Sequence, residues 1–222
     1  MMAFDFSIVL RFKEALLYGL LTTLNLTLIC IVLGCMLGFV IGLARSSNSR
    51  IVKSIAGFYV EFFRGTPVLV QLFWIFFCLP LVLGTELSNM TSAVIALTLY
   101  MGAITGETFR ASLRNIGREQ FDACVALGLP RLTQITNVVL PQALLRAIPT
   151  LLSNCVSLFK ESALVSAVGM ADLMFVGQNV SNNTARPVEI LTAVAVIYFA
   201  IAFPLTRAVT RVEQRVLRKL AA

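Results

Sequence analysis

The chain has 222 residues, 58% of them apolar and only 13% charged, with a formal net charge of +7. A soluble domain is nearer half apolar and a quarter charged, so the composition is that of a membrane protein one domain long, and the basic residues lie between apolar runs rather than in a nucleic-acid-binding patch. With no histidine and no Cys-x-x-Cys pair among Cys30, Cys35, Cys78, Cys124 and Cys155, the usual metal site and the usual proton shuttle near neutral pH are both missing.

In chain order, residues 1–14 carry Asp5, Arg11, Lys13 and Glu14 and form a charge-balanced N-terminal segment. A signal peptide fits poorly, because the apolar stretch that follows is too long and has no small-residue cleavage site. The stretch from Ala15 to Ala44 has no charge, and about 20 such residues already span a bilayer, so it predicts a tilted first span. Within it Gly34, Gly38 and Gly42 recur every four residues, a flat stripe that lets another helix approach closely. Thr22, Thr23, Asn25 and Thr27 are expected to bond to backbone or to neighbouring helices. After a basic connector from Arg45 to Lys53, Ile51 to Leu83 reads as a second span interrupted at Glu61, Arg64, Gly65, Thr66 and Pro67. Glu61 and Arg64, three apart, are placed to pair on one helix face, and Pro67 disfavours helical geometry at Thr66. The interruption is either the cytoplasmic end of the span or part of the transport path.

Thr91 to Thr108 is a third span, and Ala143 to Phe159 a fourth, broken by Pro149 and Asn154 and continued after Lys160-Glu161-Ser162 by the apolar piece Ala163–Gly177. An apolar segment interrupted at depth points to a transporter's binding site. Lys160 and Glu161 are either functional charges inside the membrane or a helix end in water; the sequence supports both equally. Gln178 to Glu189 is polar, Ile190 to Val209 is a fifth span, and Arg207, Arg211, Arg215, Arg218 and Lys219 make a basic helical tail over about 207–222. Of 18 Lys and Arg, 14 lie in the first connector, the central segment and the tail, whereas Arg11, Lys13, Lys160 and Arg186 lie on the other side. The bias places the N-terminus outside and the central segment and C-terminus in the cytoplasm, which needs an odd number of spans.

The central segment, about 114–141, is the longest polar interruption. Phe121, Cys124, Val125 and Leu127 fall at helical spacing before Gly128, and Leu132, Ile135, Val138 and Val139 after it. Each set makes one apolar face to be buried. Gly128 suits a left-handed cap, and Pro130 ends one helix and opens the next. The expectation is a stiff bent pair of helices between spans.

Asp122-Ala123-Cys124, Gly128, Val138 and Leu140-Pro141 keep the spacing of the EAA loop of ABC importer permeases, with Asp122 for Glu, Cys124 for Ala and Val138 for Ile. Ala126-Leu127-Gly128-Leu129, Leu140-Pro141-Gln142-Ala143, Glu61-Phe62-Phe63-Arg64-Gly65-Thr66-Pro67 and Lys160 to Ser166 resemble the polar amino acid branch of that family. The resemblance covers nearly the whole chain. It implies an all-α membrane protein of about five transmembrane helices, a single transmembrane domain over 15–222, with the architecture of type I ABC importer permeases and a location in the bacterial inner membrane. It also implies that Asp122, Ala123, Cys124, Gly128, Arg131, Leu140 and Pro141 belong to the element that couples to a separate ATPase. No Gly-x-x-x-x-Gly-Lys-Ser/Thr occurs, so the chain holds no cofactor of its own and ATP and Mg would sit on that partner. The further partners implied are a second permease, the same chain or a similar one, and an extracytoplasmic solute-binding protein, with lipid around the spans and no nucleic acid. The substrate path is assigned, from polarity and position, to Thr66, Asn154, Ser157, Lys160, Glu161 and Ser162. The alternative is an ion-coupled secondary amino acid transporter, for which Glu107 and Glu161 are the candidate buried acids.

Overall fold

A computed structural model describes residues 5–221. Residues 1–4 of the N-terminal segment and the side chain of Lys219 in the tail lie outside the described residues. Every regular element described is a helix, as a chain that must satisfy its backbone within lipid requires. Helices α1 (Ser7–Arg11) and α2 (Lys13–Arg45) lead to α3 (Arg50–Gly65) and α4 (Val68–Leu83). Helix α5 (Asn89–Arg114) precedes the short α6 (Arg118–Ala126). Then come α7 (Arg131–Val168), α8 (Leu173–Thr184) and α9 (Pro187–Ala221). Four of them, α2, α5, α7 and α9, are long and apolar enough to cross a membrane, and α3 with α4 makes a fifth span if the two are one span bent by 105°.

The glycine stripe of α2 is the seam of the fold. A Cβ on Gly34 would stand 2.6 Å from Met101, and one on Gly42 2.8 Å from Phe109 Cβ, both on α5. The glycines of α5 answer it: a Cβ on Gly102 or Gly106 would meet Leu37 or Ile41 at under 3 Å. At this approach Thr105 Oγ1, fully buried, reaches the Gly34 carbonyl at 3.0 Å across the seam. Leu26, Cys30, Leu72, Leu97, Met101 and Leu158 fill the core between α2, α4, α5 and α7. The outward side chains of α2 (Leu17, Leu21, Leu28, Val32, Met36, Val40) and of α9 (Val196, Phe199, Phe203) are exposed, a breadth of apolar surface that suits lipid.

The break between α3 and α4 follows from Pro67, which forces Thr66 to φ −112° and ψ 144°. Gln71 Nε2 closes the gap, within 2.8 Å of the Phe63 carbonyl, 3.0 Å of the Thr66 carbonyl and 2.7 Å of Thr66 Oγ1. Glycine and proline act elsewhere too. A π-turn at Trp74–Cys78 ends two residues before Pro80, and another at Gln134–Val139 ends two residues before Pro141. A proline without an N–H breaks the ladder one turn back, and a wider turn absorbs the break.

One expectation is corrected. The fourth span is not broken at Pro149 or Asn154: α7 runs through both, and at Ser162–Val168 the helix tightens to 3₁₀ geometry rather than unwinding, ending at Gly169 with φ +74°. In lipid a helix that loses one bond is still better than an unwound one. The polar run from Gln178 to Glu189 is shared between the end of α8 and the start of α9, and α8 is capped by Asp172, whose carboxylate accepts from Met174 N at 3.2 Å and Phe175 N at 2.9 Å. Thr23 Oγ1 of α2 accepts from Leu173 N at 3.0 Å, and Tyr198 of α9 reaches Asp172 at 3.4 Å, so one capped turn ties three helices. Asp172 is fully buried, and burial pushes its carboxyl up to about 6. The basic tail is helical as expected, and it continues α9.

Candidate functional site

The central segment folds as its spacing predicts. Helix α6 ends in a turn where Gly128 takes φ +66°. Gly128 N donates to the Val125 carbonyl at 2.9 Å and Leu129 N to the Cys124 carbonyl at 3.1 Å, the paired bonds of a Schellman cap. Pro130, extended at φ −65° and ψ 148°, then starts α7. Gln134 Nε2 holds the bend by donating to the Leu129 carbonyl at 2.7 Å. Two further ties fix the elbow to the spans. Arg146 donates to the Asn115 carbonyl at the end of α5 at 2.5 Å, and Gln142 Nε2 donates to Gln120 Oε1 at 3.1 Å. Ile116, Val139 and Ala143 form a small buried cluster beneath.

The two apolar faces are not folded inward as the spacing suggests. Cys124 is 3% exposed and Val139 5%, but Val125 is 69% exposed, Leu127 76% and Leu132 74%, with Phe121 and Ile135 also open. Cys124 is therefore the buried position that seats the elbow. Asp122, Ala123 and Arg131 are exposed, Leu140 is half-buried and Pro141 exposed. Among the described residues Asp122 and Arg131 make no ion pair. A stiff, apolar, polar-rimmed knuckle projects from the ends of α5 and α7.

The polar residues assigned to a path do not converge. Asn154 Nδ2 donates to Thr108 Oγ1 at 3.1 Å, and the two line a cavity of about 350 Å³ with Arg64, Glu107, Arg146 and Thr150. Ser157 and Lys160 line a second, of about 310 Å³, between α7 and α9 with Ser153, Thr206, Thr210 and Glu213. Glu161 turns the other way, accepting from Tyr100 OH of α5 at 3.0 Å, while its Oε2 is buried without a partner. Thr66 sits at the α3–α4 break against an apolar groove. Ser162 is fully buried and donates to the Phe159 carbonyl at 2.8 Å, within its own helix. Arg64 does not pair with Glu61: it faces the cavity that holds Glu107, and Glu61 makes no ion pair among the described residues. Glu107 is held from two helices, by Arg45 of α2 at 2.6 Å and by Arg110 one turn on. Tyr100, Thr108 and Arg146 are the residues that sequence reasoning missed. Their signal was weak, a tyrosine and a threonine inside a span and an arginine just past the Leu-Pro pair.

Comparison with known proteins covers the same ground. Residues 15–218 match the family described as binding-protein-dependent transport system inner membrane component. The arginine transport system permease protein ArtQ of Bacillus subtilis is 34% identical over 214 residues, 96% of this chain and 98% of that protein. A putative glutamine transport system permease protein GlnP of Rickettsia felis is 34% identical over 81% of this chain and 84% of its own length. Among solved structures, an amino acid ABC transporter crystallised with histidines superposes with a TM-score of 0.91 at 30% identity, covering 96% of this chain and all of that one. The inward-facing MetNI methionine ABC transporter superposes with a TM-score of 0.77 at 20% identity over 93% of this chain, a likeness of fold.

Proposed function

The chain belongs to the family of binding-protein-dependent transport system inner membrane components, and from that premise we propose a working mechanism for it. It is the permease subunit of an amino acid ABC importer, a multi-pass membrane protein whose partners are those of an importer complex. The knuckle at Phe121–Ile135 lies on the cytoplasmic side, with the N-terminus outside, and docks in a cleft of a separate ATPase that binds the ATP and Mg. Nucleotide-driven movement of that ATPase shifts the knuckle and so biases the permease between inward- and outward-facing states. A second permease completes the path, and an extracytoplasmic binding protein delivers a polar amino acid to the outer face. The cavity of Arg64, Glu107, Thr108, Arg146 and Asn154, together with the Tyr100–Glu161 pair, lies along that path. The unpartnered Glu161 Oε2 is an acceptor suited to an ammonium group.

The observation that carries this reading is the knuckle itself, an apolar patch left open on an element braced by a Schellman cap, Arg146 and Gln142. Open apolar surface on a rigid polar-rimmed element is what a docking partner covers. Glu107 and Glu161, the acids an ion-coupled transporter would need, are held by Arg45, Arg110 and Tyr100, and no comparison points to that class.

The test is co-purification with the ATPase and solute-stimulated ATP hydrolysis in proteoliposomes. Leu127→Asp and Leu132→Asp change exposed side chains, so the chain still inserts while ATPase capture and stimulated hydrolysis fall by an order of magnitude or more. Undiminished capture by both variants would remove the docking role. Tyr100→Phe and Glu161→Gln should lower solute stimulation more than basal turnover; the reverse order would make the pair structural.

A further inference from the structure

Helix α9 carries one ridge that changes character along its length. Phe199, Phe203, Arg207, Arg211 and Arg215 are each four residues apart, so they follow one another along a single row of the helix surface. Contacts join the apolar part of the row to the cationic part. The Phe199 and Phe203 rings stack with centroids 5.2 Å apart, and the Arg207 guanidinium lies 5.2 Å from the centroid of the Phe203 ring. All five residues are exposed, Phe199 at 64% and Phe203 at 46%. The three arginines make no ion pair among the described residues. Glu213, between Arg211 and Arg215 in sequence, lines the cavity between α7 and α9 instead.

The change from ring to guanidinium falls where the span leaves the membrane. Ile190 to Thr206 is 17 residues without a charge, and Arg207 is the first charge after them. At 1.5 Å per residue that run is about 26 Å long, close to the thickness of the hydrocarbon core. It is the knuckle end of α9, because Thr210 and Glu213 stand against Pro149 and Thr150 of α7, one turn from Arg146 and its bond to the end of α5. Side chains on a helix lean toward its N-terminus. For the tail that direction is back toward the bilayer, so Arg211 and Arg215 lean to the headgroups. We propose that this ridge binds an anionic phospholipid of the leaflet on the knuckle side, its phosphate held by Arg207 and Arg211 with Arg215 behind them, and an acyl chain lying along Phe203 and Phe199. The order of parts along the ridge is the order of parts in the lipid. The Phe203 ring also holds the Arg207 guanidinium in place before the lipid arrives, which reduces the ordering cost of binding. A cluster of arginines just past a membrane span suits such headgroups, and each cation near the surface is worth a factor of about five in affinity.

The experiment is native mass spectrometry of the detergent-purified importer complex titrated with palmitoyl-oleoyl phosphatidylglycerol or with the matching phosphatidylcholine. Wild type retains phosphatidylglycerol in preference to phosphatidylcholine. Arg207→Gln with Arg211→Gln lowers phosphatidylglycerol affinity by about 25-fold, two factors of about five, leaves phosphatidylcholine adducts unchanged and keeps the ATPase bound. Arg207→Lys with Arg211→Lys keeps the charge and most of the affinity. Lys53→Gln with Arg114→Gln removes the same charge from two other exposed cations and changes neither lipid. Equal retention of both lipids by wild type, or of phosphatidylglycerol by the Arg207 and Arg211 double glutamine variant, would overturn the site. An equal loss in the Lys53 and Arg114 variant would do the same, because net charge and not the ridge would then hold the lipid. So would displacement of the lipid by inorganic phosphate at matched concentration, which would make it a free-anion site, or loss of the ATPase in the Arg207 and Arg211 double glutamine variant, which would make it a protein contact.

Discussion

Replacing Gly38 by alanine tests the α2–α5 seam most directly. The new Cβ would stand 2.7 Å from Thr105 Cβ and 2.9 Å from the Gly106 nitrogen, and would overlap Thr105 Oγ1. Carbon pairs settle at about 3.5–4.0 Å, so the two helices must part by roughly 1 Å. Overpacking of that size costs about 1–3 kcal/mol. The separation also stretches the 3.0 Å bond from Thr105 to the Gly34 carbonyl, worth about 1 kcal/mol. Against this, alanine gains about 1 kcal/mol over glycine in a helix interior. The net loss is about 1–3 kcal/mol, or a fall in Tm of about 3–10 °C for a chain of this size. Gly57 on α3 is the internal control. Its added Cβ would meet nothing nearer than Arg45 Nη2 at 3.9 Å, so Gly57→Ala keeps the propensity gain of about 1 kcal/mol without the clash. Tm of the detergent-solubilised permease, read by size-exclusion recovery after heating, should therefore fall for Gly38→Ala and hold or rise for Gly57→Ala. Adding Thr105→Ala to Gly38→Ala should recover part of the loss, because the two positions touch. Equal Tm values for the two glycine variants would refute the steric account of the seam.

Gly128→Val should loosen the knuckle through backbone strain alone, since no atom lies within 4 Å of the added Cβ and the cost of a left-handed L-residue is about 1–2 kcal/mol. ATPase co-purification should fall for valine and be largely kept for Gly128→Asn, and equal capture by both would show that the turn's handedness is irrelevant. Cys124, at 3% exposure, should resist a maleimide added from either side whether or not ATPase is present, and react only after denaturation; fast labelling of the intact chain would contradict its seating role. Asp172 titrates at about 6 when folded, against 3.8 for an ordinary Asp. The native state therefore holds more proton than the unfolded one between these values, and stability falls as pH rises from about 4 to about 6, then levels. Asp172→Asn keeps an acceptor for the α8 cap and should lose that slope in a Tm series from pH 4 to 7.5, whereas parallel slopes would assign the effect to another group.

How far the sequence could be read depended on the range of the interaction. Pro67, Gly128 and Pro130 act on their own dihedrals, so their spacing alone predicts the α3–α4 break and the elbow. Gly34, Gly38 and Gly42 repeat with the helix period, so a close seam is legible, although Met101, Thr105 and Phe109 as its partners are not. What failed was whatever depended on which side of a helix meets which neighbour. Lys160, Glu161 and Ser162 are adjacent in sequence, yet successive residues of a helix point about 100° apart. Lys160 opens on α9, Glu161 on Tyr100 of α5, and Ser162 into the core. The apolar positions of the elbow misled for a related reason. Periodicity shows that a face is to be covered and cannot say by which chain. Val125, Leu127 and Leu132 stay open here, and on the proposed mechanism their cover is a partner chain.

The continuity of α7 bears on how movement at one end could matter at the other. A span broken at Pro149 or unwound at Lys160 would absorb a displacement of the knuckle in its joints. Instead the helix runs from Arg131, at the knuckle, to Glu161, beside Tyr100, with a π-turn near its start and tightening only after Glu161. Thirty residues at 1.5 Å each make a lever of about 45 Å. Arg146 sits on it about halfway, bonded to the end of α5 at Asn115, and serves as a fixed point. Asn154 and Glu161 lie beyond that point, and both bond to α5, through Thr108 and Tyr100. A tilt of about 5° over the 22 Å beyond Arg146 would move Glu161 by roughly 2 Å, enough to break a 3.0 Å hydrogen bond. On the proposed mechanism, the polar contacts between α5 and α7 are then the natural place for two discrete arrangements, each with its own bonds, and the knuckle needs no flexible linker to reach them.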